Sequence, residues 1–194
     1  MNLAFFFGLA ASCGDLLGSV GYIRAVVKGE TRPHIFSWLV WAILAAIGTG
    51  IQIHAGSWGS ALSFGVGGSI SATIFLLGLR QGDHDLWRTD WFALIGALAA
   101  IPLWLLSDNA LHAALLLSAI NLMATMPTLR KAWMRPREEN LGAFSLFTGV
   151  SVLRVLAVSP FSWAVALYPV AIAAYNAAVV VILLFKRSRL FSRG

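Results

Sequence analysis

Two polar side chains stand where lipid would be expected. Asp15 lies about halfway along an apolar stretch from Leu3 to Val27, and Asn121 lies inside another from Leu111 to Leu129. A carboxylate at the centre of a bilayer costs at least ~2.5 to 3.5 kcal/mol, so Asp15 must face a protein interior or take up a proton. It is therefore a candidate for proton coupling, holding and releasing a proton as a cavity alternates between wet and dry states; the alternative is a structural hydrogen bond that fixes its helix. Asn176 sits among Ala173, Ala174, Ala177 and Ala178, and Ser71 lies in the equally small run Gly67-Gly68-Ser69-Ile70-Ser71-Ala72. Small neighbours leave room for a ligand beside a polar group, although such faces also serve close helix packing with an interhelical hydrogen bond. Trp38 and Trp41 are spaced to share one helix face, where they could stack on a sugar or aromatic ring. For Trp38 the plainer reading is an interface anchor near the cytoplasmic end, and Tyr22, Tyr168 and Tyr175 read as gates or as packing. Arg154 lies near the end of its apolar stretch, where snorkelling to the headgroups is the plainer reading and pairing with Asp108 or an anionic substrate the sharper one.

Other chemistry is missing from the pattern. There is no Gly-rich phosphate loop and no pair of catalytic carboxylates, and His34, His54, His84 and His112 are isolated from one another. We therefore expect neither an enzyme, nor a cofactor, nor a metal site. With Cys13 as the single cysteine, no disulfide can form within one chain. The run Leu9-Ala10-Ala11-Ser12-Cys13 faintly suggests a lipoprotein cleavage site, but no basic residue precedes Arg24, so an uncleaved first helix is expected. A retinal protein would need a lysine within the last apolar stretch, and the only one there, Lys186, stands at its end.

The elements that must position these residues are membrane helices. The chain is 59% hydrophobic and 11% charged over 194 residues, whereas water-soluble domains are about a quarter charged. A helix needs roughly 20 mainly apolar residues to cross the bilayer. The chain divides into seven such spans: Leu3 to Val27, Ile35 to His54, Ser57 to Leu79, Trp91 to Leu106, Leu111 to Leu129, Leu141 to Val158 and Phe161 to Phe185. Short links make consecutive spans alternate in direction. All but Arg154 of the fourteen Lys and Arg residues then fall on one side, which the positive-inside rule makes cytoplasmic, with the amino terminus outside and the carboxyl terminus inside. Membrane orientation thus explains the net charge of +6 with no nucleic acid as partner. Trp58, Trp87, Trp91 and Trp163 fall near span ends, where indoles favour the interface. The expected location is a bacterial cytoplasmic (inner) membrane, with the lipid bilayer and a small-molecule substrate as partners. Small, Gly-rich helix faces also allow a homo-oligomer.

Self-comparison reveals an internal repeat. Gly56-Ser57-Trp58-Gly59-Ser60-Ala61-Leu62 at the start of span three parallels Phe161-Ser162-Trp163-Ala164-Val165-Ala166-Leu167 at the start of span seven, with Ser-Trp and Ala-Leu in register. Tyr22-Ile23-Arg24 likewise parallels Thr128-Leu129-Arg130, which makes Asn121 the counterpart of Asp15, while Ser71 is the counterpart of Asn176. An odd number of spans between the copies makes the repeats parallel. The expected fold is all-α, with two parallel three-helix bundles joined by a linker helix: residues 1–80 as the first bundle, 81–109 as the linker and its flanks, and 110–194 as the second bundle with a basic tail. Duplicated bundles generally hold a substrate between the two copies.

At these residues the chain resembles the PQ-loop and SWEET-like superfamily. In the second repeat Met126-Pro127-Thr128-Leu129-Arg130-Lys131-Ala132-Trp133, followed by Asn140-Leu141-Gly142-Ala143-Phe144-Ser145-Leu146, is similar to the family pattern, with Thr128 in place of glutamine. The first repeat departs further, with Gly21 at the proline position and Arg32-Pro33-His34-Ile35-Phe36-Ser37-Trp38 after the loop. The resemblance implies a transporter of sugars, amino acids or vitamin-like solutes, although some members are receptors. It also implies a substrate-binding role for Asn176. Independently of any family, Pro127 interrupts helical hydrogen bonding and Gly21 loosens the matching point, so each is a candidate hinge, with ordinary packing as the alternative. The function expected is alternating-access transport of a small polar solute, passive or proton-coupled, through a cavity lined by Asp15, Ser71, Asn121 and Asn176. The alternative is a non-transporting receptor or assembly partner.

Overall fold

Each apolar stretch forms a helix whose ends are marked by local chemistry. The computed structural model describes residues 3–106 and 110–191, and among them are seven α-helices and no β-strand. The helices are α1 (Leu3–Val27), α2 (Ile35–His54), α3 (Trp58–Gln81), α4 (Arg88–Leu105), α5 (Ala110–Met134), α6 (Leu141–Leu156) and α7 (Trp163–Phe191). A single 3₁₀ turn, Pro136–Glu138, precedes α6. Two helices at matching positions begin with a side-chain cap: His34 Nδ1 accepts from Ser37 N at 3.5 Å before α2, and Asn140 Oδ1 accepts from Ala143 N at 3.0 Å before α6. Gly29 and Gly56 take positive φ of 73° and 70° in the turns after α1 and α2, where a Cβ would be strained.

The span ends differ from the sequence reading where polar residues continue a helix. α5 runs on to Met134 and α7 to Phe191, because Lys and Arg are good helix formers and hydropathy marks only the apolar part of a helix. Among the described residues four helices, α1, α2, α3 and α7, are long and apolar enough to cross a membrane. The surface agrees with that assignment. Large apolar side chains face outward on every helix, among them Leu17, Leu76, Phe92, Leu122, Leu156 and Val181, while Asp15, Asn121 and Asn176 are buried. An apolar exterior of this extent around a polar interior fits an integral membrane protein.

Helix packing follows one rule twice. α3 packs against both α1 and α2, and α7 packs against both α5 and α6, whereas the backbones of α1 and α2, and those of α5 and α6, stay apart among the described residues; α1 meets α2 through the side chains of Tyr22 and Trp38. The two sets meet along α1 with α6 and along α2 with α5, and α4 lies against α5 and α2. Exchanging α1 with α5 and α2 with α6 maps each contact between the sets onto the other. Close approach explains why α1 and α3 carry glycine where they cross: a Cβ on Gly59 would sit 2.8 Å from Ala4 O, and one on Gly8 would overlap the Gly59 backbone.

The basic residues collect at one end. There Arg32 N donates to Glu138 O at 3.3 Å, Asp83 N to Pro33 O at 2.8 Å, and Arg130 Nη2 to Asp85 O at 3.2 Å. Arg135 reaches Asp83 at 3.2 Å, and Arg187 donates to Pro136 O. Loops from different parts of the chain are thus tied to one another at the basic end.

Candidate functional site

A cavity of about 80 Å³ lies between the two helix sets. It is lined by all six residues expected to bind substrate: Asp15 from α1, Trp38 and Trp41 from α2, Ser71 from α3, Asn121 from α5 and Asn176 from α7. α6 contributes Phe147 and Arg154, and aromatic walls come from Phe64, Tyr168 and Tyr175.

The polar groups of the cavity are unequally committed. Ser71 Oγ donates to Gly67 O at 2.9 Å, one turn back on its own helix. Asn176 Nδ2 donates to Ser151 Oγ at 2.9 Å, which leaves its carbonyl oxygen for another partner. Trp41 Nε1 is buried and makes no hydrogen bond among the described residues, an expensive condition for a donor unless something else occupies it. Trp38 and Trp41 meet edge to face with centroids 5.0 Å apart, and Trp41 lies 5.3 Å from Tyr175. Trp38 is 5% exposed and packs against Tyr22 at 5.1 Å, so the reading of Trp38 as an interface anchor is corrected: its ring belongs to the core. Trp58, Trp87, Trp91 and Trp163, in contrast, are all at least half exposed near helix ends.

Arg154 requires a larger correction. Its side chain does not snorkel; it turns inward, is only 10% exposed, and makes an ion pair with Asp15 across the α1–α6 interface. Its Nε donates to Ser63 Oγ at 2.8 Å and its Nη2 to Ser63 O at 3.3 Å. Gly67 leaves the space it occupies, since a Cβ there would run into the guanidinium. Asp108, the partner considered from sequence, lies outside the described residues. A signal for the true pair was present: Asp15 is an acid midway along one apolar stretch and Arg154 a base within another, and a buried charge needs an opposite charge.

Side chains bridge the two sets on either side of the cavity. Toward the basic end, Tyr22 OH donates to Glu139 Oε2 at 3.4 Å, and Lys131 pairs with Glu139 at 2.9 Å while also donating to Arg32 O. Ser37 Oγ donates to Ala124 O at 2.8 Å, three residues before Pro127. Burial pushes the Glu139 carboxyl above its ordinary range, and the Lys131 ammonium opposes that shift. Burial likewise lowers the His34 imidazole below its usual value, against the pull of Asp90 3.4 Å away. Toward the other end, Gln52 Nε2 donates to Val165 O at 3.2 Å. Pro169 has no N–H for that carbonyl four residues back, so the α2 side chain replaces the missing helical bond. Ser159 N donates to Ser57 Oγ at 3.2 Å beside it.

The two candidate hinges lie in unbroken helices. Pro127 is inside α5, and a Cβ on Gly21 would meet nothing within 4 Å, so Gly21 is not there to permit close packing. The sequence reading overlooked Pro169, Gln52 and the Lys131–Glu139 pair. Proline within an apolar stretch marked the first, but only the fold brings the others to their partners. The chain matches no protein-family model, no curated protein and no solved structure.

Proposed function

We propose that the chain is a membrane carrier that moves a small polar solute by alternating access, passive or proton-coupled. One observation carries this reading: residues from both helix sets converge on a single cavity between them, and polar bridges cross between the sets on both sides of it. Two units that rock about a shared midplane site are the general solution for carriers built from repeated bundles.

On this reading α1–α3 and α5–α7 are two parallel bundles, α4 is the linker, and all seven α-helices cross the membrane. The basic end faces the cytoplasm of a bacterial cell and the amino terminus faces out. α6 has 16 residues and spans about 24 Å, a shortfall that local bilayer thinning accommodates. The exchange symmetry of the helix contacts and the resemblance to the PQ-loop and SWEET-like superfamily support this plan.

The test is a thermal-unfolding screen of the purified protein in detergent against sugars, amino acids, nucleosides and vitamins, followed by counterflow of each stabilising compound in reconstituted vesicles. A transported solute should stabilise the protein, and Asn176→Ala should abolish both effects. If no compound stabilises and none exchanges, the carrier reading fails in favour of a non-transporting receptor or assembly partner that uses residues 130–140 and the basic tail.

A further inference from the structure

The cavity is poor in the partners that a polyhydroxylated solute needs. Ser71 is spent on its own helix and Asn176 Nδ2 on Ser151, and most of the wall is aromatic or aliphatic. Asn176 Oδ1 is left as an acceptor, and the strongest remaining groups are donors. Trp41 Nε1 is buried without a partner among the described residues, and the Arg154 guanidinium, held through Nε and Nη2, stands in the cavity wall. A fixed guanidinium and an indole N–H beside aromatic rings select an acceptor-rich anion on an apolar body.

Charge balance then determines what accompanies that anion. Asp15 and Arg154 together are neutral. A solute carboxylate that takes the guanidinium leaves the Asp15 carboxylate unpaired in a nearly dry interior, which is strongly unfavourable unless the carboxylate is neutralised. Among the described residues the groups around Asp15 supply no other cation: α6 gives Arg154, α3 gives Ser63 and Gly67, and α5 and α7 contribute Asn121, Tyr168, Tyr175 and Asn176 to the same cavity. We infer that the cavity binds a small organic monocarboxylate with an apolar body, and that each carboxylate enters together with one proton, which Asp15 takes up as it releases Arg154. The carboxylate and the proton move together, so no net charge crosses. This inference rests on the carrier reading for its transport step, although binding and proton uptake stand without it.

The experiment measures benzoate and hexanoate, with benzamide and hexanamide as neutral controls, against the purified full chain in detergent. Thermal shift reports binding, and calorimetry in buffers of different ionisation enthalpy reports protons taken up. The acids should stabilise the protein and the amides should not, with about one proton taken up per carboxylate. Asp15→Asn should bind the acids at least about tenfold more tightly near neutral pH, since its Arg154 has lost its internal competitor, and should take up no proton. Trp41→Phe, which leaves the ion pair intact, should weaken binding about fivefold or more. In vesicles, a pH gradient should drive benzoate uptake faster than the passive entry of benzoic acid into protein-free vesicles, and a membrane potential should not. Equal stabilisation by acid and amide, or carboxylate binding without proton uptake, would overturn the inference. Carboxylate binding with proton uptake but vesicle uptake no faster than in protein-free vesicles would uphold the site and remove the carrier reading. Counterflow of a neutral solute by a protein that no carboxylate stabilises would do the reverse.

Discussion

Among single side chains, the Asp15–Arg154 pair has the largest energetic consequence. Arg154→Gln leaves a buried carboxylate without its partner, a change that costs about 3–5 kcal/mol in a low-dielectric interior, whereas removing both charges together costs far less. Thermal unfolding in detergent near neutral pH should therefore show a large fall in midpoint for Arg154→Gln and recovery of most of it in the Asp15→Asn/Arg154→Gln double variant. His34 adds a pH dependence at the basic end. Its folded imidazole binds a proton less readily than the unfolded one, so between the folded value and the ordinary value of about 6.5 the unfolded chain holds more protons. Stability from this residue is present above about pH 6.5 and is lost as pH falls through that window. Unfolding midpoints measured from about pH 5 to pH 7 should rise more steeply in the wild type than in His34→Gln.

The helices show why glycine and proline have different meanings at different positions. Gly8 and Gly59 allow α1 and α3 to touch backbone to backbone, while Gly21 faces open space. Gly8→Ala should therefore prevent the native α1–α3 packing and abolish accumulation of folded protein in the membrane fraction. Gly21→Ala should instead stabilise α1 by about 1 kcal/mol through helix propensity. If Gly21 acts as a hinge, the same variant should slow solute exchange while its unfolding midpoint rises, a split between rate and stability that a packing role does not produce. α2 contacts the second helix set at both of its ends, through Ser37 to Ala124 O near Pro127 and through Gln52 to the carbonyl that Pro169 leaves free. Each proline thus makes a weak point in its helix and leaves it beside a side chain from the other set.

The whole molecule is organised by a cavity between two helix sets and by segregation of charge to one end. The proposed orientation can be measured directly with single cysteines placed in a Cys13→Ser background. Ser188→Cys at the basic end should react with a membrane-impermeant thiol reagent only in inverted vesicles. Ser162→Cys at the start of α7 should react only in intact cells or right-side-out vesicles. Labelling of both from the same side would require an even number of crossings between them and would remove the seven-span reading.

The sequence by itself determined the number and approximate limits of the helices, because each is an apolar stretch of helical length bounded by polar or Gly- and Pro-containing links that one-dimensional inspection can detect. It also singled out Asp15, Ser71, Asn121, Asn176, Trp38 and Trp41, which line one cavity, because polar groups and paired indoles within apolar stretches must face other helices or a cavity rather than lipid. The tertiary structure alone decided the direction of Arg154, the burial of Trp38 and the partners of Glu139, Lys131 and Gln52. Snorkelling and pairing were both open to a long side chain near a helix end, and the choice between them depends on which helix lies opposite. That relation joins residues more than a hundred positions apart, and only packing establishes it.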